Sequence, residues 1–299
     1  MQYFFHLLIY FQIYCIVAMS LNLLVGYCGL LTLAHAGFFA IGAYGYAVIR
    51  TTTELDFVST IIIGMIISAT CSLVLSLFSW RLKGDFFVLA SLAVQALIYT
   101  MIYNWADTAA PIGSLLNMTN GPFGITNIPG PSMFGVTFEE PSRFLIVSTF
   151  AAASCFLVLR TLQNAGWTQA LFAMRDDELA ARGLGKNTRL LKVQAVAIAA
   201  SFAAAAGALY ASYVGFIDPT SASLDEGILM LCMVLVGGLG SLRGSIAGAA
   251  VLIALPEVLR LLNLADAQAA NIRLCVYGMA LVAMMRFRPQ GIAGTYRIE

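Results

Sequence analysis

Charged residues are scarce in this sequence. They make up 10% of its 299 residues, while hydrophobic residues make up 60%. Soluble domains carry roughly 25% charged residues, so the composition excludes an ordinary water-soluble globular fold. The net charge is only +1, which argues against nucleic acid as a partner. The first Lys or Arg is Arg50, and without an earlier positive segment a cleavable leader is not expected.

Motifs that carry catalysis or bind cofactors are missing as well. The six cysteines include no CxxC pair, so neither a zinc site nor a disulfide scaffold is indicated. The HExxH, GxSxG and phosphate-loop patterns are also absent. We therefore predict a protein that is not an enzyme, carries no cofactor or metal and does not bind ATP through a phosphate loop.

Long apolar runs fill most of the chain instead. We count about nine, and most of them reach, with their flanks, the roughly 17–25 residues of a bilayer-spanning helix. They are Phe4–Val25, Leu30–Ile49, Phe57–Trp80, Phe86–Tyr103, Phe144–Leu159, Val193–Val214, Ile228–Val236, Ile246–Leu262 and Leu274–Met285. The seventh run is short, which indicates a broken or tilted helix. We predict one integral-membrane domain over residues 1–299, with an all-α polytopic fold in the lipid bilayer.

The positions of lysine and arginine predict the orientation, because cytoplasmic loops carry an excess of both. The loop after Leu159 is the most basic segment and is therefore assigned to the cytoplasm. Alternation of the spans from there puts these residues inside: Arg81, Lys83, Arg160, Arg175, Arg182, Lys186, Arg189, Lys192, Arg243, Arg286, Arg288 and Arg297. Arg50, Arg143 and Arg273 fall outside, and Arg260 is left unassigned. The predicted N-terminus is outside and the C-terminus inside.

Two loops between the runs are long. The external one, residues 105–141, is rich in proline and glycine, as turns are, and is named the proline loop. It also carries many apolar residues. We predict that it packs on the membrane face or lines a vestibule; an ordered lid without substrate contact is the alternative. The internal one, residues 161–190, is named the charged loop.

The charged loop holds the densest run of charge in the chain, "RDDELAARGLGK". Acidic residues stand where a short helix begins and a base where it ends, which complements the helix dipole. Glycine lies beyond, as at a capped C-terminus. The residues concerned are Arg175, Asp176, Asp177, Glu178, Arg182, Gly183 and Gly185. A helix of about two turns, roughly 10 Å, cannot cross a membrane. We predict that it contacts a partner protein; a merely solvated loop is the alternative.

One segment occurs twice. "LVGYCGLLTLAHAG" begins at Leu24 and "LVGGLGSLRGSIAG" at Leu235, and half of the aligned positions are identical. Gly26 aligns with Gly237, and Gly29 with Gly240. Both copies are predicted where a helix reaches the cytoplasmic side, as parallel repeats of the kind found in transporters. The second copy also contains a GxxxGxxxG series, which allows close helix packing.

Polar residues inside the apolar runs are few. His35 stands among small residues, and we expect it to hydrogen-bond to a neighbouring helix; a substrate contact is the alternative. Asn22 and Gln95 are polar but uncharged. Glu257 is ionisable, which favours a functional role inside a membrane. It forms either a local ion pair with Arg260, three residues further on, or part of a pathway lining.

Several segments together resemble one family. They are "LNLLVGYCGLLTLAHAGFFAIGAY", "TNGPFGI", "LFAMRDDELAARGLG", "GALYASYVGFIDPTSASLDEGILMLCMVLVGGLGSLRGSIAGA" and "FRPQGIAG". In this order they are similar to the permease subunits of bacterial branched-chain amino acid ABC importers, and most of all to the LivM-type subunit. The resemblance extends from Ser20 to Gly294, which is nearly the whole chain.

The resemblance implies a multi-pass subunit of the bacterial inner membrane that forms half of a translocation pathway. The implied partners are a second, LivH-type permease, two cytoplasmic ATP-binding subunits that hydrolyse ATP, and a periplasmic substrate-binding protein. It also implies that Glu178, Ala180, Ala181 and Gly185 belong to a coupling loop that docks on the ATPase.

Two positions depart from the family pattern. Asn120 replaces the second residue of Thr-Gly-Gly in the proline loop, and Arg243 stands where an aromatic residue is common. Because Asn120 lies in the loop nearest incoming substrate, urea and small aromatic or carboxylate solutes stay open as alternatives, and a secondary carrier is the alternative outside the family. The residues assigned to the translocation pathway or to helix packing are Asn22, His35, Gly37, Asn120, Gly121, Gly124, Gly240, Gly244, Gly248 and Glu257.

Overall fold

The computed structural model describes residues 2–260 except 54, 83, 108–109, 115, 134–135 and 139, and beyond them 272, 275, 278–279, 282, 286 and 291–294. The helices are α1 Gln2–Asn22, α2 His35–Thr52, α3 Phe57–Ser79, α4 Asp85–Asn104, α5 Pro141–Gln163, α6 Gly166–Asp176, α7 Glu178–Gly183, α8 Thr188–Val214, α9 Leu224–Gly237 and α10 Leu242–Arg260. The short strands are β1 Ile125–Thr126, β2 Ser132–Met133, β3 Val136–Thr137 and β4 Phe216–Ile217. The chain is mostly helical, as predicted.

Five helical segments of the described part are long and apolar enough to cross a membrane. They are Gln2–Tyr27, Phe57–Ser79, Asp85–Asn104, Pro141–Gln163 and Thr188–Val214. These segments confirm the predicted class, an all-α polytopic membrane protein. Each of the first eight apolar runs overlaps an α-helix. The short seventh run corresponds to α9, which has 14 residues. The ninth run, Leu274–Met285, falls largely outside the described residues, so the count of nine stays a prediction.

The first run does not end as a regular α-helix. Its last turn, Leu23–Tyr27, is a π-helix, in which hydrogen bonds join residues five apart instead of the four of an α-helix. The backbone N–H of Cys28 closes this turn on the carbonyl oxygen of Leu23, at 3.3 Å. The second run was expected from Leu30, but α2 begins only at His35. Residues 28–34 therefore form a loop between α1 and α2 that the sequence pattern did not predict.

Small residues bring the central helices into close contact. The helix α8 packs against both α2 and α3, and α9 packs against α10. A Cβ atom added at Gly207 of α8 would overlap the backbone carbonyl of Phe39 in α2. One added at Gly248 of α10 would overlap the carbonyl of Met233 in α9, and one at Gly244 would lie 2.7 Å from the carbonyl oxygen of Gly237. The structure therefore gives Gly244 and Gly248 a place in the packing of α10 on α9.

The loops gather at two ends of the bundle. Contacts of Gly26 with Arg175, of Asn22 with Ser241 and of Lys192 with Ser79 join one set of loops, here named the charged-loop end. At the other end, the proline-loop end, β1 of the proline loop pairs with β4 just after α8. The segment Gly291–Ala293 lies at the charged-loop end, where the N–H of Ala293 donates to the carbonyl oxygen of Gly237. The beginning of α1 lies at the proline-loop end.

Candidate coupling and translocation sites

The charged loop folds into α6 and α7, and local chemistry fixes the boundaries of α7. The carboxylate of Asp177 accepts the backbone N–H groups of Leu179 and Ala180, at 2.8 and 3.0 Å, as an N-cap does. At the other end the N–H of Lys186 donates to the carbonyl oxygen of Ala181, and Gly185 has a left-handed φ of +79°. This is a Schellman cap. The predicted short capped helix is confirmed.

Glu178, the first residue of α7, points into the protein. Its Oε1 lies 2.6 Å from Nη2 of Arg182 and 3.1 Å from Nζ of Lys192, and it accepts the hydroxyl of Thr188 at 3.2 Å. Only 11% of its side chain is exposed. Lys192 also donates to the carbonyl oxygen of Ser79, at 3.0 Å. The network therefore fixes α7 to the start of α8 and to the end of α3. The charge pattern had led us to expect the charge of Glu178 at the surface. The carboxylate is buried instead, because it pairs with Arg182 and Lys192.

The outer face of α7 is apolar. Leu179 is 71% exposed and Leu184, directly after the helix, is 80% exposed. Ala180, Arg182, Gly183 and Gly185 are exposed beside them, while Ala181 is buried. Leu179 and Leu184 therefore place exposed apolar surface on the charged loop. Asp176 and Asp177 are exposed at the edge of the same face.

The helix α6 connects this face to the first copy of the repeat. The Nη1 atom of Arg175 donates to the carbonyl oxygen of Gly26 in the π-helical turn, at 2.6 Å. The guanidinium lies 5.0 Å from the ring centre of Phe172, whose ring meets that of Tyr27 edge-on. A Cβ atom on Gly29 would lie 2.7 Å from Cγ of Arg175. Gly29 must therefore stay small for the Arg175 side chain to reach Gly26.

Asn22, two residues before the first copy of the repeat, hydrogen-bonds to the second copy, and Gly26 of the first copy lies against Gly240. Nδ2 of Asn22 donates to the carbonyl oxygen of Ser241 at 2.9 Å, and its Oδ1 accepts the N–H of Gly240 at 3.0 Å. The side chain is fully buried between α1 and the loop before α10. The structure thus gives Asn22 and Gly240 a packing role, and the chain of contacts Arg175–Gly26 and Asn22–Gly240 runs from the charged loop through both copies.

His35 and Gly37 at the start of α2 also make interhelical contacts. Nε2 of His35 lies 2.9 Å from the hydroxyl of Ser20 in α1, which is the hydrogen bond to a neighbouring helix that the sequence predicted. The N–H of Gly37 donates to Oε1 of Gln95 in α4, at 2.7 Å. Gln95 also donates to the carbonyl oxygen of Ala222. The side chain of Gln95 therefore joins three separate segments of the chain.

The proline loop is ordered around Asn120. This residue has a left-handed φ of +59° and donates from Nδ2 to the carbonyl oxygen of Gly124, at 2.8 Å. Gly121 begins the 3-10 turn between them, and a Cβ atom on Gly124 would overlap the carbonyl of Ile217. Leu116 and Phe123 are exposed on the outside of the loop, while Ile125 and Ile128 are buried. The structure thus gives Asn120, Gly121 and Gly124 a role in shaping the loop.

A cavity of about 350 Å³ opens near the proline-loop end, between α1, α9 and α10. Its polar lining consists of Tyr3, His6, Tyr10, Tyr14 and Glu257. The hydroxyl of Tyr3 donates to Oε2 of Glu257. The sequence pattern offered Arg260 as a partner of Glu257, but that side chain lies outside the described residues. Glu257 therefore lines a cavity, while the two alternatives for its role, a pair with Arg260 and the lining of a pathway, both stay predictions.

The aromatic residues of this cavity were missed in the sequence. On α1 they stand at positions 3, 6, 10 and 14, spacings of three and four that put them on one helical face. That spacing was the available signal. It was not recognised because the surrounding positions are equally apolar, so the run was interpreted as an ordinary membrane-spanning helix.

An apolar helical bundle with a structured loop at each end is the arrangement of a multi-pass membrane protein. The model of the family described as branched-chain amino acid transport system / permease component matches residues 3–285. This chain belongs to that family, and within it to the LivM-type permease subunits of ABC importers.

Two relatives align with nearly the whole chain, and a third aligns with about three quarters of it. The high-affinity branched-chain amino acid transport system permease protein LivM of Escherichia coli strain K12 is 30% identical, over 94% of this chain and 68% of that protein. A probable LivM permease of Methanocaldococcus jannaschii is 23% identical, over 96% and 92%. The autoinducer 2 import system permease protein LsrC of Escherichia coli O9:H4 strain HS is 25% identical, over 74% and 68%.

Among solved structures, PsaBC from Streptococcus pneumoniae in complex with Fab aligns with 93% of this chain and 89% of that chain. The TM-score is 0.45 at 14% identity.

Proposed function

We propose that this chain is one of two permease subunits of a bacterial inner-membrane importer for branched-chain or related hydrophobic amino acids. The second permease is of the LivH type, two cytoplasmic ATP-binding subunits hydrolyse the ATP, and a periplasmic binding protein delivers the substrate. The substrate class is the one for which the LivM relatives are named. The chain crosses the membrane nine times, with its N-terminus outside and its C-terminus inside. That arrangement is supported by residues 3 and 293, which lie at opposite ends of the bundle.

The charged loop is the proposed contact with the ATP-binding subunits. The observation that carries this proposal is the division of α7 into two faces. Its inner face is fixed by Glu178 to α3 and α8, and its outer face exposes Leu179 and Leu184. A contact that transmits conformational work must be rigid on the permease side and must differ in energy between the transport states. The ion network supplies the rigidity, and Arg175 of the same loop contacts the first copy of the repeat.

The experiment makes the same change, leucine to aspartate, at an exposed position at each end of the bundle. Leu184→Asp places a charge on the proposed docking face, and the complex should lose its ATP-binding subunits in a pull-down from detergent. The matched control is Leu116→Asp, because Leu116 is 68% exposed on the proline loop. This control should keep the ATP-binding subunits.

The pull-down is followed by uptake assays with leucine, isoleucine, valine, urea and benzoate. Loss of the ATP-binding subunits from Leu116→Asp but not from Leu184→Asp would overturn the proposed docking face and orientation. Uptake of urea or benzoate without uptake of leucine would replace the proposed substrate class. Uptake that continues without ATP would point to a secondary carrier.

A further inference from the structure

The cavity between α1, α9 and α10 has the size and lining of a small-molecule site. Binding pockets usually measure roughly 300–1,000 Å³ and combine apolar walls with a few fixed polar groups. Here the volume is about 350 Å³. The apolar wall is formed by Leu229 and Met233 of α9 and by Leu252 and Ile253 of α10. The polar lining groups lie on α1 and at the end of α10, so the two kinds of surface face each other.

Glu257 is the carboxylate among the described lining residues. The hydroxyl of Tyr3 donates to Oε2 of this side chain. An ionised carboxylate has about four acceptor positions, so one hydroxyl leaves capacity for a further donor. Glu257 is partly buried near the proline-loop end, and an ionisable group in a membrane-spanning helix favours a functional role.

The tyrosines that line the cavity with Glu257 suit a cation. Tyr10 and Tyr14 line the same cavity, and the faces of aromatic rings attract ammonium groups within about 6 Å of the ring centre. The hydroxyl of Tyr14 donates to Oε2 of Glu226 at 3.3 Å, which holds that ring in place. His6 is similarly held, with Nδ1 2.6 Å from the hydroxyl of Tyr213. The cavity is therefore lined by aromatic side chains that hydrogen bonds hold in place, together with the carboxylate of Glu257.

We propose that this cavity binds the ammonium group of the transported amino acid at Glu257, with the substrate's alkyl side chain against Leu229, Met233 and Leu252. The proposal rests on the proposed function, since it assumes that the cargo is an amino acid. The proposed site lies within the permease, where the substrate would bind during transport. Recognition here depends on a primary ammonium attached to an apolar group, and it does not require the substrate's carboxylate.

The test measures how ligands protect a cysteine in the cavity. Ile253→Cys is introduced into the assembled importer after the exposed Cys71 and Cys275 have been replaced by serine. The importer is placed in phosphatidylcholine vesicles, and the labelling rate with a methanethiosulfonate reagent is recorded. Leucine and isoamylamine, which both carry the ammonium, should slow labelling, whereas isocaproate, which lacks it, should not. Glu257→Gln should raise the isoamylamine concentration for half-protection about tenfold or more, since hydrogen bonds to charged groups contribute about 1.5–3 kcal/mol.

Control variants separate a lost site from a lost fold. Glu257→Asp keeps the carboxylate and should retain part of the protection, and Glu140→Gln, at an exposed position, should retain all of it. If Glu257→Gln fails to assemble, the comparison of isoamylamine with isocaproate in the otherwise unchanged importer still decides. Equal protection by the two, or protection by neither, overturns the proposal.

Further results would distinguish a lipid ammonium from a substrate ammonium, and a wrong site from a wrong proposed function. Slower labelling on addition of phosphatidylethanolamine, with no effect of leucine, would assign the site to a lipid headgroup and overturn the substrate site. An importer that takes up leucine without cysteine protection contradicts only the site. An importer that does not take up leucine contradicts the proposed function.

Discussion

The two copies of the repeat share a turn but differ in the length of the loop after it. Beyond the helix that ends at the charged-loop end, each copy places a glycine in the left-handed region, Gly29 with φ +72° and Gly240 with φ +78°. The two segments are in contact, which agrees with the prediction that they reach the same side. The next helix begins at Leu242 in the second copy but only at His35 in the first, four positions later in the repeat.

Capping accounts for this difference. In the second copy the hydroxyl of Ser241 accepts the N–H of Gly244 at 3.2 Å, so α10 starts at once. The aligned residue in the first copy is Leu30, which has no acceptor. The N–H of Leu33, which aligns with Gly244, donates instead to the hydroxyl of Ser91 in α4, at 3.0 Å. The first copy is therefore tied to another helix and keeps a longer loop.

The longer loop gives the first copy a different neighbour. The helix α6 packs there, with Arg175 on the carbonyl oxygen of Gly26 and Phe172 against Tyr27. The second copy instead receives Asn22 and the backbone of Ala293. A repeated sequence has thus produced the same turn twice. The first copy contacts the charged loop through Gly26, and Asn22, two residues before that copy, contacts the second copy.

The largest expected effect comes from breaking the shared turn. Gly240→Leu forces a β-carbon into the left-handed region, which costs about 1–2 kcal/mol, beside the tight contact with Asn22 and Gly26. We expect little assembled importer in size-exclusion chromatography. Leu242→Ala is the comparison, because it removes buried bulk without changing the turn. It should assemble, and equal loss from both variants would contradict the importance of the turn.

A second large effect is expected from Glu178→Lys. The change places a third cation beside Arg182 and Lys192, and breaking a buried ion pair costs about 3–5 kcal/mol. The permease should insert in the membrane, but stimulation of the ATPase by loaded binding protein and substrate uptake should both fall. Glu140→Lys makes the same charge change at an exposed site and should leave both unchanged.

Cys28 reports directly on the network that Glu178→Lys breaks. It follows the π-helical turn, and burial raises the pKa of its thiol to about 12, so the thiol reacts slowly at neutral pH. With Cys71 and Cys275 replaced, maleimide labelling of Cys28 should rise in Glu178→Lys and rise less in Glu178→Gln. Unchanged labelling, together with full uptake and full ATPase stimulation, would show that the charged run only solvates a loop.

Sequence patterns predicted the features whose causes are local. The caps of α7 depend on Asp177 and Gly185 within or beside the helix, and the close packing of α10 depends on the spacing of Gly244 and Gly248. The interior position of Glu178 could not be predicted, because its partners include Lys192 of α8, which is itself held by the distant Ser79. The cavity was missed for the same reason, since α1 meets α9 and α10 from more than two hundred residues away.

A smaller effect is expected from removing the hydroxyl that accepts the N–H of Leu33 in the first copy or of the aligned Gly244 in the second. Ser91→Ala removes the acceptor of Leu33, and Ser241→Ala removes that of Gly244. Each loss should cost about 1 kcal/mol, the usual contribution of one capping hydrogen bond. Thermal unfolding of the assembled importer should show similar small decreases. A decrease confined to Ser241→Ala would show that the contact with α4 does not replace the cap.

The ratio of substrate imported to ATP hydrolysed tests the central claim most directly. Arg175→Ala removes the hydrogen bond to Gly26, and charged hydrogen bonds contribute about 1.5–3 kcal/mol, so the ratio should fall about tenfold or more. Arg189→Ala is the control, because Arg189 is exposed at the same end and lies over the ring of Trp80. We predict that Arg175→Ala keeps its ATP-binding subunits and hydrolyses ATP with little transport, while Arg189→Ala transports normally. A normal ratio in Arg175→Ala would contradict the route from the charged loop to the first repeat.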